Sequence, residues 1–147
     1  MFMYGMLFGL ADTWPWESMP DNRTVGNTNK VDQQKLKIMA RNPRAYTGKL
    51  RVGTVREAYR VCEYIQSNFH RITMPFLTVH GTADNMTCPT SSQLLYEKAA
   101  SKDKTLKLYE GMGHSLILGE PDENANIVLG DMRDWIDERT NKYGSKI

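Results

Sequence analysis

From Thr54 onward the chain switches repeatedly between two hydrophobic periods, and this limits its fold more than any other feature. Val55, Ala58, Cys62, Ile65 and Phe69 recur at helical spacing, with Tyr59 beside them, and give a helix one apolar face. After Pro75, Phe76, Leu77 and Val79 form a near-continuous apolar run, the pattern of a buried parallel strand. Leu94, Leu95 and Ala99 return to helical spacing, and Leu106 and Leu108 alternate with Thr105, Lys107 and Tyr109 as a short strand. Ala125, Val128, Leu129, Met132, Trp135 and Ile136 then make one long stripe, which leaves Asp131, Arg133, Asp137 and Arg139 toward water. Thr54 with Glu57, and Thr90 with Gln93 behind Pro89, have capping-box spacing and mark two helix starts; Pro121 and Asp122 open the last helix. Helix, strand, helix, strand, helix predicts an α/β fold with parallel strands joined by crossover helices. Two such strands make a poor sheet, because each is built to be covered on both edges and both faces.

The first fifty residues read differently. Residues 1–10 suit a helix weakened by Gly5 and Gly9, and residues 11–31, with Pro15, Pro20 and several Asn and Asp, read as irregular. Asp32 is the expected N-cap of a short helix over Gln33–Ala40, and Asn42-Pro43 and Gly48 mark another loop. The N-terminal apolar run stops near Ala11, short of the roughly 20 residues needed to span a bilayer. It has neither a basic n-region nor a small-residue cleavage site. It reads as a buried or lid helix, and its aromatic and methionine content leaves contact with a membrane surface open.

With 147 residues, 40% hydrophobic and 24% charged, the chain has the make-up of one globular domain. Nineteen basic and 17 acidic residues leave a net charge of +2, which gives no support for nucleic-acid binding. Cys62 and Cys88 lie in no metal-type spacing and are too few for a disulfide framework, which fits a reducing, cytoplasmic compartment.

Both strand runs break at glycine and then present one polar residue suited to proton transfer: Asp84 in Phe76–Pro89 and His114 in Leu106–Leu116. Reactive groups of an open parallel sheet gather where its strands end, so two neighbouring strands would bring these side chains together. An aspartate bonded to the Nδ1–H of a histidine fixes its tautomer and stabilises the imidazolium, and Nε2 can then take a proton from a hydroxyl. Acid then histidine is the order of the second half of a Ser–Asp–His triad in an α/β-hydrolase. On pattern alone, Asp84 equally suits a turn former and His114 a plain loop residue. His80 ends its strand and reads as structural; His70 receives no role. No metal-type spacing links the three residues His80, Asp84 and His114, and no cofactor is expected. Gly113-His114-Ser115 looks like the start of a G-x-S-x-G elbow, but position 117 is Ile117 where the elbow needs glycine, so Ser115 is rejected as nucleophile.

At these residues a resemblance enters. The stretch HGTADNMTCPTSSQLLYEKAASKDKTLKLYEGMGHSLILGEPDENANIVLGDMRDWIDER resembles the C-terminal part of plant monoacylglycerol lipase-like proteins, caffeoylshikimate esterases among them. These are α/β-hydrolases of the serine aminopeptidase S33 group. GLADTWPWESMPDN and NPRAYTGKLRVGTVREAYRV resemble that family's cap and the helix after it. The resemblance implies a mainly helical cap-derived segment over residues 1–50 and the C-terminal part of the hydrolase core over 51–147. It matches Asp84 to the triad acid and His114 to the triad histidine, and gives the serine elbow and the HG-type oxyanion segment no counterpart here. The implied function is that of a C-terminal fragment of a serine ester hydrolase acting on monoacylglycerols, lysophospholipids or hydroxycinnamoyl esters. The alternative is an inactive truncated product or a binding module of the same descent. Nothing in the sequence fixes an oligomeric state.

Overall fold

The computed structural model describes residues 33–44 and 48–144, together with positions 9, 11–14 and 16. Most of the expected N-terminal helix over 1–10, and Asp32, lie outside the described residues. Residues 11–13 are helical, so the irregular stretch expected from residue 11 begins later; Ala11 is buried there. Helix α1 spans Gln33–Ala40, as its sequence predicts. Helix α2 spans Val52–Ser67, a 3₁₀ turn covers Phe69–Arg71, and strand β1 runs over Phe76–Gly81. Helix α3, Pro89–Lys98, crosses to strand β2, Lys104–Tyr109, and helix α4, Asp122–Gly144, follows.

Both capping boxes are corrected. Helix α2 begins at Val52, whose buried side chain draws the chain into the helix early; extended Arg51 is the N-cap and Thr54 already lies inside. Helix α3 begins at Pro89, because proline has no N–H to leave unpaired and its φ suits the first helical position. Thr90 Oγ1 therefore meets Cys88 Sγ at 2.9 Å instead of capping the helix.

Strands β1 and β2 pair in parallel, from Phe76 opposite Lys104 to Gly81 opposite Tyr109, and form a two-stranded sheet. Parallel registry puts paired residues on the same face. Helix α3 covers the face of His80, whose ring meets Ser92. Helix α4 covers the other face, where Trp135 donates to Thr105 (3.0 Å) and Tyr109 to Asp131 (2.9 Å). The core sits on this second face: Tyr109, Met112 and fully buried Val128, with Val79, Leu116 and Met132 against them.

Four expectations are corrected. In β2, Leu108 is exposed and Tyr109 is buried, because α4 covers the Tyr109 face and bonds its hydroxyl. Asp131 and Arg139 turn inward, since each has a partner on the sheet side: Lys107 and Tyr109 for Asp131, and Asp103 for Arg139 (2.6 Å). Phe76, Leu77 and Val79 are only half-buried, because α4 leaves an open groove along β1 lined by Pro75, Met132, Trp135 and Ile136. Along α2, Ala58, Cys62 and Ile65 are exposed, and only the ends of the stripe, Val55 and Phe69, are covered. No described helix is long and apolar enough to cross a membrane.

Candidate active site

Because Gly81 and Tyr109 are register partners, β1 and β2 end at one level and their loops leave from one sheet edge. The loops are then zipped together. Thr82 N–H donates to Tyr109 O (2.9 Å), Ala83 N–H to Met112 O (2.9 Å), and Gly111 N–H to Thr82 Oγ1 (2.8 Å). Two glycines permit this. A Cβ on Gly81 would lie 2.3 Å from Met112 O and 2.5 Å from Gly113 O, both backbone atoms that cannot yield cheaply. Gly111 turns the second loop at φ 70°, where a side chain is strained.

Asp84 and His114 meet across this seam. His114 Nδ1 lies 2.9 Å from Asp84 Oδ2. The two carboxylate oxygens divide their work. Oδ1 accepts the N–H groups of Met86 (2.7 Å) and Thr87 (3.0 Å), so Asp84 is a turn former as well. Oδ2 accepts the Thr87 hydroxyl (2.6 Å) and faces His114. The Asp84 side chain is 3% exposed and that of His114 44%. Burial alone would raise the Asp84 pKa, but the hydrogen bonds from Thr87, His114 and Met86 outweigh it and hold the carboxyl well below the usual carboxylate range. Asp84 is thus a fixed anion, and an anion at Nδ1 requires the proton there. In the neutral ring that leaves the lone pair on Nε2, which has no hydrogen-bond partner among the described residues. A cavity of about 160 Å³ is lined by both residues of the pair, with Val79, His80, Gly81, Thr87 and Leu116.

Three residues that the sequence reading did not assign to the site contact the pair or its loops. His80 Nε2 lies 3.0 Å from Asp84 Oδ2. Thr87 bonds the acid through both backbone and hydroxyl. Glu120, 2% exposed, accepts Gly113 N–H at Oε1 (2.7 Å) and Asn124 Nδ2 at Oε2 (2.8 Å), so a buried carboxylate anchors the residue just before His114. A polar residue three positions after an Asp turn, and a Glu immediately before a helix-opening proline, are signals that would have found Thr87 and Glu120. Ser115 follows His114 directly and leads into a turn closed by Gly119 N–H to Ser115 O (2.8 Å), not into a helix. This agrees with its rejection as an elbow serine. Among the described residues, no cluster of His, Cys, Asp and Glu could hold a metal ion.

Helix α1 reaches the same region. Lys35 Nζ donates to Glu120 O (2.8 Å) and pairs with Asp122 (2.7 Å), while Arg56 of α2 pairs with Asp12.

Known proteins resemble this chain in sequence and fold. Residues 3–122 match the serine aminopeptidase S33 family. The chain is 66% identical over 146 residues to a caffeoylshikimate esterase of Arabidopsis thaliana, covering 99% of this chain and 43% of that protein. It is 39% identical over 77 residues to a monoglyceride lipase of Saccharomyces cerevisiae, covering 52% and 24%. It thus spans less than half the length of either relative. The fold is similar to a monoacylglycerol lipase from Paleococcus ferrophilus at TM-score 0.74 and 20% identity, over 92% of this chain and 52% of that one. It is also similar to a soluble variant of the yeast monoglyceride lipase in complex with a substrate analog, at TM-score 0.68 and 23% identity, over 92% and 48%. The helices and small parallel sheet described above are part of an α/β-hydrolase fold, and the chain belongs to the serine aminopeptidase S33 family.

Proposed function

We infer that this chain supplies the acid–histidine half of a serine-type carboxylic-ester hydrolase. The observation that carries this reading is the 2.9 Å contact between His114 Nδ1 and a buried, fully hydrogen-bonded Asp84. In the reaction, a serine hydroxyl attacks the ester carbonyl as His114 Nε2 takes its proton. His114 then returns that proton to the leaving alcohol, and a water repeats the sequence to free the acid. Asp84 fixes the tautomer and stabilises the imidazolium. The serine and the oxyanion donors come from residues outside this sequence. The 147 residues alone are therefore expected to be inactive, since removing the nucleophile of such a site costs on the order of 10⁶ in kcat.

Residues 1–50 are read as the cap and 51–147 as the core. The Lys35 bonds to Glu120 and Asp122, which hold α1 beside the His114 turn, support that division. The relatives are an esterase and lipases, which supports a monoacylglycerol, a lysophospholipid or a hydroxycinnamoyl ester as the substrate class.

A segment exchange tests this. The chain replaces the segment it matches in the Arabidopsis esterase, and the chimera is assayed for p-nitrophenyl ester hydrolysis. The expected result is an active enzyme whose His114→Ala variant loses about 10⁴-fold or more. A folded chimera without activity, or one indifferent to His114→Ala, overturns the reading.

A further inference from the structure

Asp84 has a second histidine on it. His80 Nε2 lies 3.0 Å from Oδ2, the same oxygen that faces His114, and 3.3 Å from the backbone carbonyl of Thr87. Both of these are acceptors only, so Nε2 must carry a hydrogen. On the other side of the ring, His80 Nδ1 meets Ser92 Oγ at 2.7 Å, and a hydroxyl can donate to a bare nitrogen. The His80 side chain is 11% exposed, held between the end of β1 and the first turns of α3. Ser92, His80, Asp84 and His114 thus form one directed chain: Ser92 O–H to Nδ1, Nε2–H to Oδ2, and Oδ2 from the Nδ1–H of His114.

The geometry points to His80 as a positioning residue for the Asp84–His114 relay, with the Ser92 hydroxyl bonded to its other ring nitrogen. This assignment rests on the reading of Asp84 and His114 as that relay. The backbone donors of Met86 and Thr87 hold only Oδ1. Oδ2, the oxygen that must stay aimed at His114, is held by the Thr87 hydroxyl, which can rotate, and by the His80 ring, which cannot. A ring fixed at both nitrogens therefore sets the plane of the carboxylate. Because His80 acts through Asp84, its removal should disturb proton transfer and leave substrate binding alone.

The test uses the active chimera for catalysis and the 147-residue chain for spectroscopy. His80→Phe fills the ring's space without a donor and should lower kcat about fivefold to tenfold, with KM within about twofold. His80→Gln can reach Asp84 with a side-chain N–H and should recover most of the loss. Ser92→Ala, which removes the bond at Nδ1, should cost about twofold to threefold. A His80→Phe chimera with parental kcat, or a His80→Gln variant no better than His80→Phe at equal melting temperature, overturns the assignment. If the chimera has no activity, the functional reading fails, and the nitrogen chemical shifts of His80 in the 147-residue chain still decide the geometry. In mildly alkaline solution, hydrogen on Nε2 and a bare Nδ1 are expected; hydrogen on Nδ1 overturns it.

Discussion

The edge where β1 and β2 end and the middle of α2 are built in opposite ways. At the edge, the key atoms are fixed by hydrogen bonds and close contacts: two loops bonded to each other, a carboxylate with donors on both oxygens, and a glycine with no room for a side chain. Along α2, Val61, Tyr64 and Ile65 are exposed, and the apolar stripe waits on whatever covers it. The comparison teaches that the candidate site is assembled by the sheet register and the hydrogen bonds within and between its two loops. The burial of α2 is a property of the surface it would pack against.

Gly81→Val is the strongest way to break this contrast. The new side chain would collide with the backbone at Met112 and Gly113, and should destabilise the chain by about 3 kcal/mol or more in urea melts. Acid comes next. The Asp84 carboxyl is held well below its ordinary range when folded, so between that value and the unfolded value near ~3.9 the unfolded chain binds more protons. Its stabilising contribution is complete at neutral pH and is lost as pH falls below about 4. Denaturant melts at successively lower pH should show this, and Asp84→Asn should flatten the dependence. Tyr109→Phe removes the buried bond to Asp131 and should cost about 1 kcal/mol without changing the urea m-value. Ile65→Ser, on the open face of α2, should change stability by no more than about 0.5 kcal/mol. A cost near that of Tyr109→Phe would mean the face is covered after all, and the contrast would fail.

Much of the edge was legible in the sequence, because it depends on local signals. The apolar runs give β1 and β2, glycine ends each run, and the next acid and histidine are Asp84 and His114. Helix α1 was legible to the residue. What was not legible depends on neighbours. Helix α2 starts early because Val52 finds a buried place, which no capping rule records. Tyr109, Asp131 and Arg139 turn inward because each finds a polar partner across the sheet–helix contact. His80 read as a strand-ending structural residue, and its contact with Asp84 arises from the turn at Gly81, which folds the chain back over the strand end. Glu120 is buried because its carboxylate serves a loop seven residues earlier.

The central claim is that Asp84 orients His114 as the base of an ester hydrolase. The most direct measurement is the rate at which a fluorophosphonate labels the catalytic serine of the chimera, with and without Asp84→Asn. The expected result is a fall of about 10³-fold to 10⁴-fold on removing the carboxylate charge, with the fold intact. Labelling of the Asp84→Asn chimera at the parental rate would contradict the account.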